Sequence, residues 1–521
     1  MKAKYELLVI ALTAALGVSA APKLLLYMLD GARADVLEAT ATPAWQMLKE
    51  NRWAEGYHTA WSVTAENEPY ALPGSAANHT TIATGKLAKN HHVYDKPGVF
   101  FAPFRQSATP TVLERIGRKY PALKTLQAFS WRPDLGMIPE SGNYSIVCGN
   151  DVNNNLVLVE LLKRPDAPSA LMVFDDAPDA GGHNTGFYPY GKQYQPLVIE
   201  AMKRFGNLLD TIKARPTFAD EDWLIVLCSD HGGCGTRHNL SGGHCNTVPL
   251  LYCGKNIPAG RMDGRPSNLG IAANVLRHMG LASETAELDD RGEIRIAAPT
   301  EQSVTDGMVY NLAVSGGSIA NRAPGNAGFT PHGSISVGDN SFSTDSDGYV
   351  TLNALKNRAN GPMTFAITVR SDLSKVSGDP VIFGNKDWNN GGNPGMALLT
   401  RKGRFIFNSA CVNAPRNYIV TSPKRMDLWD IVPDAEGRNM SMVAVSVDPA
   451  GLVTVFQEYA NGRQYWFCAD AKGINTSSAL DWNIGQDGTG KYKCRQPIEV
   501  KNFRFWNRAL SLDELRKLGM E

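Results

Sequence analysis

The stretch DWLIVLCSDHGGCGTRHNLSGGHC, residues 222–245, decides how the first half of this chain is read. It begins with a short run that is apolar on both faces, as a buried strand of a parallel sheet would be. A glycine-rich loop follows, holding one aspartate, three histidines and two cysteines. Such a loop can be a zinc knuckle, a disulfide-braced loop or the rim of a catalytic metal site. The rest of the chain has to decide between them.

Outward from this stretch, similar runs recur. KLLLYML (23–29) ends at Asp30, ALMVF (170–174) ends at Asp175 and Asp176, and VPLLYC (248–253) ends at Gly254. Helical patterns lie between them at 42–51, 111–119, 153–163, 191–214 and 267–280. This alternation predicts an α/β sheet with helices on both faces. Sites in such sheets form beyond the carboxyl ends of the strands. Asp30, Asp175, Asp176 and Asp230 would share that rim and repel one another unless cations held them. A metal site is therefore the first hypothesis. No Cys-x-x-Cys pair occurs, which argues against a structural zinc finger.

The chain has 521 residues, enough for two or three domains. Lys+Arg is 52 and Asp+Glu 51, which argues against a general nucleic-acid binder. Residues 1–20 read as a secretory signal peptide: Lys2 and Lys4, an apolar run, then Val18-Ser19-Ala20. The expectation is a secreted or periplasmic protein without a transmembrane anchor. In that setting Cys234/Cys245 and Cys468/Cys494 are candidate disulfides.

The texture changes after about residue 285. Strand-like pieces at 364–370, 380–384, 404–408 and 441–459 alternate with turns, and Asp448–Gly451 reads as a hairpin turn. This is the pattern of an all-β sandwich. Ser511 and Glu514 form a capping box for a short last helix.

Histidines concentrate before residue 280, with only His332 in the β half. His183, His231, His238 and His244 lie close behind the acidic strand ends. Asp179 and His183 share one loop, and Asp230 adjoins His231. Oxygen and nitrogen donors at this density suit zinc, with manganese second. Ser75, in PGSAANHTTIATG (73–85), precedes a helix expected to start near Asn78, whose N-terminus would favour an anion. A serine hydroxyl needs a base or a metal to become a nucleophile. No Gly-x-Ser-x-Gly motif is present, so metal activation is the consistent option.

LLLYMLDGARAD (24–35), SAANHTTIATG (75–85), PDAGGHNTG (178–186) and the SDHGG, His238 and VPLLYCG series resemble, in order, motifs of the alkaline phosphatase superfamily. The nearest branch is the type I phosphodiesterase/nucleotide pyrophosphatase group. The resemblance covers about residues 22–284 and implies two zinc ions flanking the nucleophile. It places Asp30, Asp230 and His231 on the ion that activates Ser75, and Asp179, His183 and His238 on the other. It departs from the pattern in two ways: serine replaces threonine, and Asp95 or Lys96 stands where the family has an asparagine. WNIGQDGTGKY (482–492) and IEVKNFRFWNRALSLDEL (498–515) resemble the LamG or concanavalin A-like family. That implies a jelly-roll domain with a glycan as candidate partner and calcium as candidate cofactor. Loop 384–395, Trp388 and Trp482 are the candidate contacts.

The expectation is thus an alkaline-phosphatase-like domain (21–300) followed by a β-sandwich (308–521). The function implied by resemblance is hydrolysis of phosphodiester or pyrophosphate bonds through a phospho-serine. The substrate would be a nucleotide or a phosphorylated glycan or lipid. Phosphomonoester hydrolysis is the alternative within that class. A glycan-binding surface protein with an inactive hydrolase domain is the alternative from another.

Overall fold

The computed structural model describes residues 20–49, 58–62, 74–93, 109–137, 143–238, 243–262, 266–296, 302–371, 378–400, 405–410, 417–420, 439–470, 473–494 and 497–520. The expected signal peptide, apart from residue 20, lies outside them, as do Asp95 and Lys96. No helix among the described residues is long and apolar enough to cross a membrane.

The first sheet has eight strands: β1 (Ala21–Leu29), β2 (His58–Ser62), β3 (Lys124–Phe129), β4 (Asn143–Cys148), β5 (Ala170–Asp175), β6 (Glu221–Cys228), β7 (Leu250–Gly254) and β8 (Gly260–Arg261), in the order β4-β3-β5-β1-β6-β7-β2-β8. The helices, in chain order, are α1 (Ala34–Thr40), α2 (Pro43–Lys49), α3 (Ser75–Thr84), α4 (Ala88–His91), α5 (Val112–Lys119), α6 (Asp151–Leu162), α7 (Ala177–Thr185), α8 (Tyr194–Lys213), α9 (Gly243–Asn246), α10 (Ile271–His278) and α11 (Leu512–Lys517).

The continuous apolar runs are explained by burial on both faces. Leu25, Tyr27 and Leu29 of β1 join a core with α1, α2, α6 and α8. Leu24, Leu26 and Met28 join another with α3, α5 and α10. β5 and β6 divide their side chains in the same way. Strands β4, β3, β5, β1 and β6 are parallel. The VPLLYC run departs from the parallel expectation, since β7 pairs antiparallel with β6. The chain reaches it through a loop over the carboxyl edge rather than a crossover helix, so it must run back. β3 and β4 are not signalled by apolar runs, because Lys124, Thr125, Gln127, Asn143 and Ser145 interrupt them.

Residues 308–506 supply two further sheets, of nine and seven strands. Their facing sides share a core that includes Phe365, Phe383, Phe407, Trp482 and Phe503. The hairpin turn falls where it was read, with Gly451 at φ 85° between antiparallel strands Asn439–Val447 and Leu452–Tyr459. Ser511 and Glu514 make their capping box. The other face of the nine-stranded sheet is also covered. Ala366, Met442, Ala444, Phe456 and Trp466 enter the same core as α1, α2 and α8, together with Leu512 and Leu515 of α11.

Several expectations need correction. Trp482 is fully buried and Trp388 is 5% exposed, so neither offers a face to a sugar. Loop 384–395 binds itself: Asp387 accepts from the Asn389 N–H, Asn390 from the Gly392 N–H, and the buried Lys386 ammonium donates to the Gly391 carbonyl and the Asn408 amide oxygen. Cys234, Cys245, Cys468 and Cys494 are all free thiols. Cys468 lies in the core shared with the helices and Cys494 in the core between the two sheets, so that pair cannot meet.

Candidate cation site

Three parallel strands end at the site. Asp30 follows β1, Asp230 follows β6, and Asp179 stands in the first turn of α7, just after β5. Gly31 makes their convergence possible. Its φ is +70°, and a Cβ there would lie 2.9 Å from the Asp179 Cα. Its N–H donates to Asp230 Oδ1 at 3.0 Å. Ser75 is the first residue of α3, so the helix starts three residues earlier than expected. The hydroxyl therefore sits beside the open N–H groups of the first helical turn. Ser75 Oγ is 3.1 Å from His231 Nε2 and 3.5 Å from Asp30 Oδ1.

All seven expected site residues come together. His231 Nε2 is 3.2 Å from Asp230 Oδ2 and 3.5 Å from Asp30 Oδ1. His183 Nε2 is 3.3 Å from Asp179 Oδ2 and 3.1 Å from His238 Nε2. His231 lies between the two expected sets. Its ring stacks on the His238 ring at 3.7 Å and 9°, while its Nε2 stays nearer Asp230 and Asp30 than Asp179 Oδ1, which is 4.0 Å away. The two tight groups are Asp179, His231, His238 and Asp30, His79, Asp230. His183 touches the first group from a half-exposed position.

His79, in the SAANHTTIATG stretch, also belongs in the site. Its Nε2 is 3.1 Å from Asp30 Oδ2 and 3.3 Å from Asp230 Oδ2. Its Nδ1 is 2.8 Å from Asp134 Oδ1. The available signal was spacing: His79 stands four residues after Ser75, on the same helical face.

The donor set fits a divalent cation. Asp30 Oδ2, Asp230 Oδ2, Asp179 Oδ1 and His79 Nε2 are buried with no well-formed hydrogen bond, although His79 Nε2 lies within ion-pair distance of Asp30 and Asp230. Buried polar atoms are rarely left so. The tautomers agree with this. His231 Nδ1–H donates to the Gly232 carbonyl at 2.9 Å, and His183 Nδ1–H to the Thr236 carbonyl at 3.0 Å. Both leave Nε2 with a lone pair facing the cluster, the arrangement that orients a ligating imidazole. Electrostatics point the same way. Burial, then Asp230 and Asp179, push the Asp30 carboxyl well above the ordinary range. Asp230 stays below that range despite burial, because His231, His79 and the Gly31 N–H favour its charge. Burial opposes charge on His79, yet Asp134, Asp230 and Asp30 raise its pKa well above the usual value. Three buried carboxylates with so little positive charge among them call for a cation.

Asp175 lies outside the cluster: Arg204 pairs with both its oxygens at 2.7 Å and the Tyr27 hydroxyl donates to it. His244 is buried against Phe467, with ring centroids 4.3 Å apart. Among the described residues, groups of three ligating side chains occur only in this α/β part.

No family model and no curated protein matches the sequence. Solved structures do align with it. One is the binding domain of Paraclostridial Mosquitocidal Protein 1, at 15% identity and TM-score 0.33, covering 42% of this chain and 52% of that one. Another is the binding domain of botulinum neurotoxin serotype D, at 16% identity and TM-score 0.30, covering 41% and 52%. A third is the serotype D ligand binding domain in complex with N-acetylneuraminic acid, at 14% identity and TM-score 0.31, covering 41% and 50%. The chain spans about half the length of these structures. Likeness at this level transfers neither a fold nor a ligand. None of these relatives is a metal-dependent phosphoester hydrolase. No family model and no curated protein supports the resemblance to the alkaline phosphatase superfamily, and none of these three structures belongs to it. The assignment is corrected accordingly, and with it the zinc phosphodiesterase activity, the phospho-serine intermediate and the phosphoester substrate.

Proposed function

We propose that this chain is a carbohydrate-binding protein, whose sugar rests on the outward face of the seven-stranded sheet. One observation carries the reading. On that face the His332 ring stacks on the Tyr349 ring, with centroids 4.4 Å apart and planes at 14°. Thr351 Oγ1 lies 3.2 Å from His332 Nε2 and donates to Asn483 Oδ1 at 2.8 Å. The Lys493 ammonium sits 5.8 Å from the Tyr349 ring. Strand alternation sets this up: Val350 and Leu352 point into the core, so Tyr349 and Thr351 point out. A pyranose has an apolar C–H face and a rim of hydroxyls. A partly exposed aromatic face with polar groups held beside it matches both. The test is binding to an array of neutral and sialylated oligosaccharides. Tyr349→Ala should weaken binding about tenfold or more, with the circular dichroism of the sandwich unchanged. Equal binding by wild type, Tyr349→Ala and His332→Ala would remove this face from the role.

A second reading concerns the α/β part, and the contact between Ser75 Oγ and His231 Nε2 favours it. With its Nδ1–H committed to Gly232, His231 turns its Nε2 lone pair towards the serine hydroxyl, where it can either take the serine proton or hold a cation that activates the hydroxyl, but not both at once. A bound divalent cation would supply Lewis acidity at the same place, with Asp30, Asp230, His231, Asp179, His183, His238 and His79 as the available ligands. On this reading the part is a metal-dependent enzyme with Ser75 as nucleophile. Ser75→Ala should keep its bound metal, measured by atomic spectroscopy, and lose turnover about a hundredfold or more across chromogenic esters that differ in the acid. Turnover retained by Ser75→Ala would take the serine out of the chemistry.

A further inference from the structure

The nine-stranded sheet ends in the strand Gln464–Asp470, whose free edge faces the α/β part. That edge meets both segments that carry the Asp179, His183, His231 and His238 cluster. On the first segment, the Tyr190 hydroxyl accepts from the Gln464 N–H at 3.3 Å. Tyr190 also packs edge-on against Tyr465, and the Arg463 guanidinium lies 5.0 Å from its ring centroid. Tyr190 lies in the loop after α7, which ends at Thr185, and has a left-handed φ of 64°. On the second segment the Thr247 hydroxyl donates to the Cys468 carbonyl at 3.0 Å and accepts from the Cys468 N–H at 2.9 Å. The Phe467 ring presses on Gly243 so closely that a Cβ there would fall 1.9 Å from it. α9 in turn holds the start of the ligand loop. The Gly232 N–H donates to the Cys245 carbonyl at 2.8 Å, and a Cβ on Gly232 would lie 2.2 Å from the His244 carbonyl oxygen. From Phe467 to His231 the chain of contacts therefore passes through two glycines, Gly243 and Gly232, with no room for a side chain.

We propose that this edge strand is a working part of the cation site, with Phe467 and Thr247 as positioning residues that hold His231 and His238 in ligating register against Asp179. The proposal rests on the cation reading of the cluster. It makes the site incomplete without the sandwich, although none of the ligands comes from it. Outer groups that orient metal ligands change metal affinity about ten- to a hundredfold when removed.

The experiment is Co2+ titration of the full chain, followed by the visible absorption of the bound ion. Phe467→Ala and Thr247→Val should each weaken Co2+ binding about tenfold or more and alter the band shape, while Phe467→Leu restores most of both. Val500→Ala, a cavity in the sandwich core away from this edge, should lower the melting temperature yet leave the Co2+ spectrum unchanged. Wild-type affinity and spectrum in both Phe467→Ala and Thr247→Val would overturn the proposal. So would an equal loss in Val500→Ala, since that reports general stability. If Phe467→Ala does not fold, Thr247→Val decides alone. A wild-type chain that binds no Co2+ would overturn the cation reading itself, and this proposal with it.

Discussion

At the scale of single residues, His79 has the most unusual surroundings. Its ring lies among three buried carboxylates, Asp30, Asp134 and Asp230, with Trp131 and Phe174 packed around it. In the metal-free protein the imidazole is the nearest source of positive charge for that group. Removing one partner of a buried ionic cluster costs about 3–5 kcal/mol, because the remaining charges stay buried. His79→Ala should therefore lose about 3 kcal/mol of stability in urea unfolding with EDTA present. Excess Mn2+ should recover part of the loss, since a cation supplies the missing charge. A variant as stable as wild type in EDTA would show that the ring does not balance these carboxylates.

At the scale of elements, α3 and α4 meet through His91. Its Nδ1 accepts from the Val93 N–H at 3.0 Å, and its Nε2 is 3.1 Å from Thr81 Oγ1 on α3. Both contacts suit the neutral ring, and burial pushes the pKa down to about 4. The unfolded chain protonates near 6.5. Between these values the unfolded state binds the extra proton and the fold does not. The contribution of His91 is thus complete above about pH 6.5 and declines as pH falls towards 4, by ~3 kcal/mol at most. Carboxylates titrate in the same window, so the useful quantity is the difference from His91→Gln. The variant should be less stable at pH 7 and should lose less between pH 6.5 and 4. Parallel pH profiles of the urea midpoint would contradict this. The elements also show where sequence reading succeeds. β1, β5 and β6 were legible because burial on both faces leaves uninterrupted apolar runs ending in Asp30, Asp175 and near Asp230. β4 is the exposed edge strand, where polar residues are tolerated, and in the buried β3 the polar Thr125 and Gln127 interrupt the apolar run, so both patterns are lost. Ser75, Asp179, His183, Asp230, His231 and His238 were legible as local pairs next to strand ends. The stacking of His231 on His238 was not, because it is a tertiary contact. Trp388 and Trp482 looked like sugar platforms because composition cannot separate a buried indole from an exposed one, whereas the alternation of β-strand residues left Tyr349 and His332 outside.

At the scale of the whole molecule, the α/β part and the sandwich each keep a core of their own and share a third. One core runs from Leu37, Trp45 and Phe205 to Met442, Phe456, Trp466 and Leu515. Arg516 extends the union in polar terms. It reaches Glu38 of α1 at 3.3 Å, and its guanidinium lies 5.8 Å from the Trp466 ring centroid. Each large apolar side chain in such a core contributes about 1.5–3 kcal/mol through burial, and several would return to water together if the parts were separated. A chain ending at residue 300 should therefore expose a contiguous apolar patch where the nine-stranded sheet now lies. Patches of that kind drive self-association. The shortened chain should bind the dye ANS, elute as oligomers in size-exclusion chromatography and melt well below the full chain. A monomer melting cooperatively at the full-chain temperature would show that the α/β part is self-sufficient and that the shared core contributes little to it.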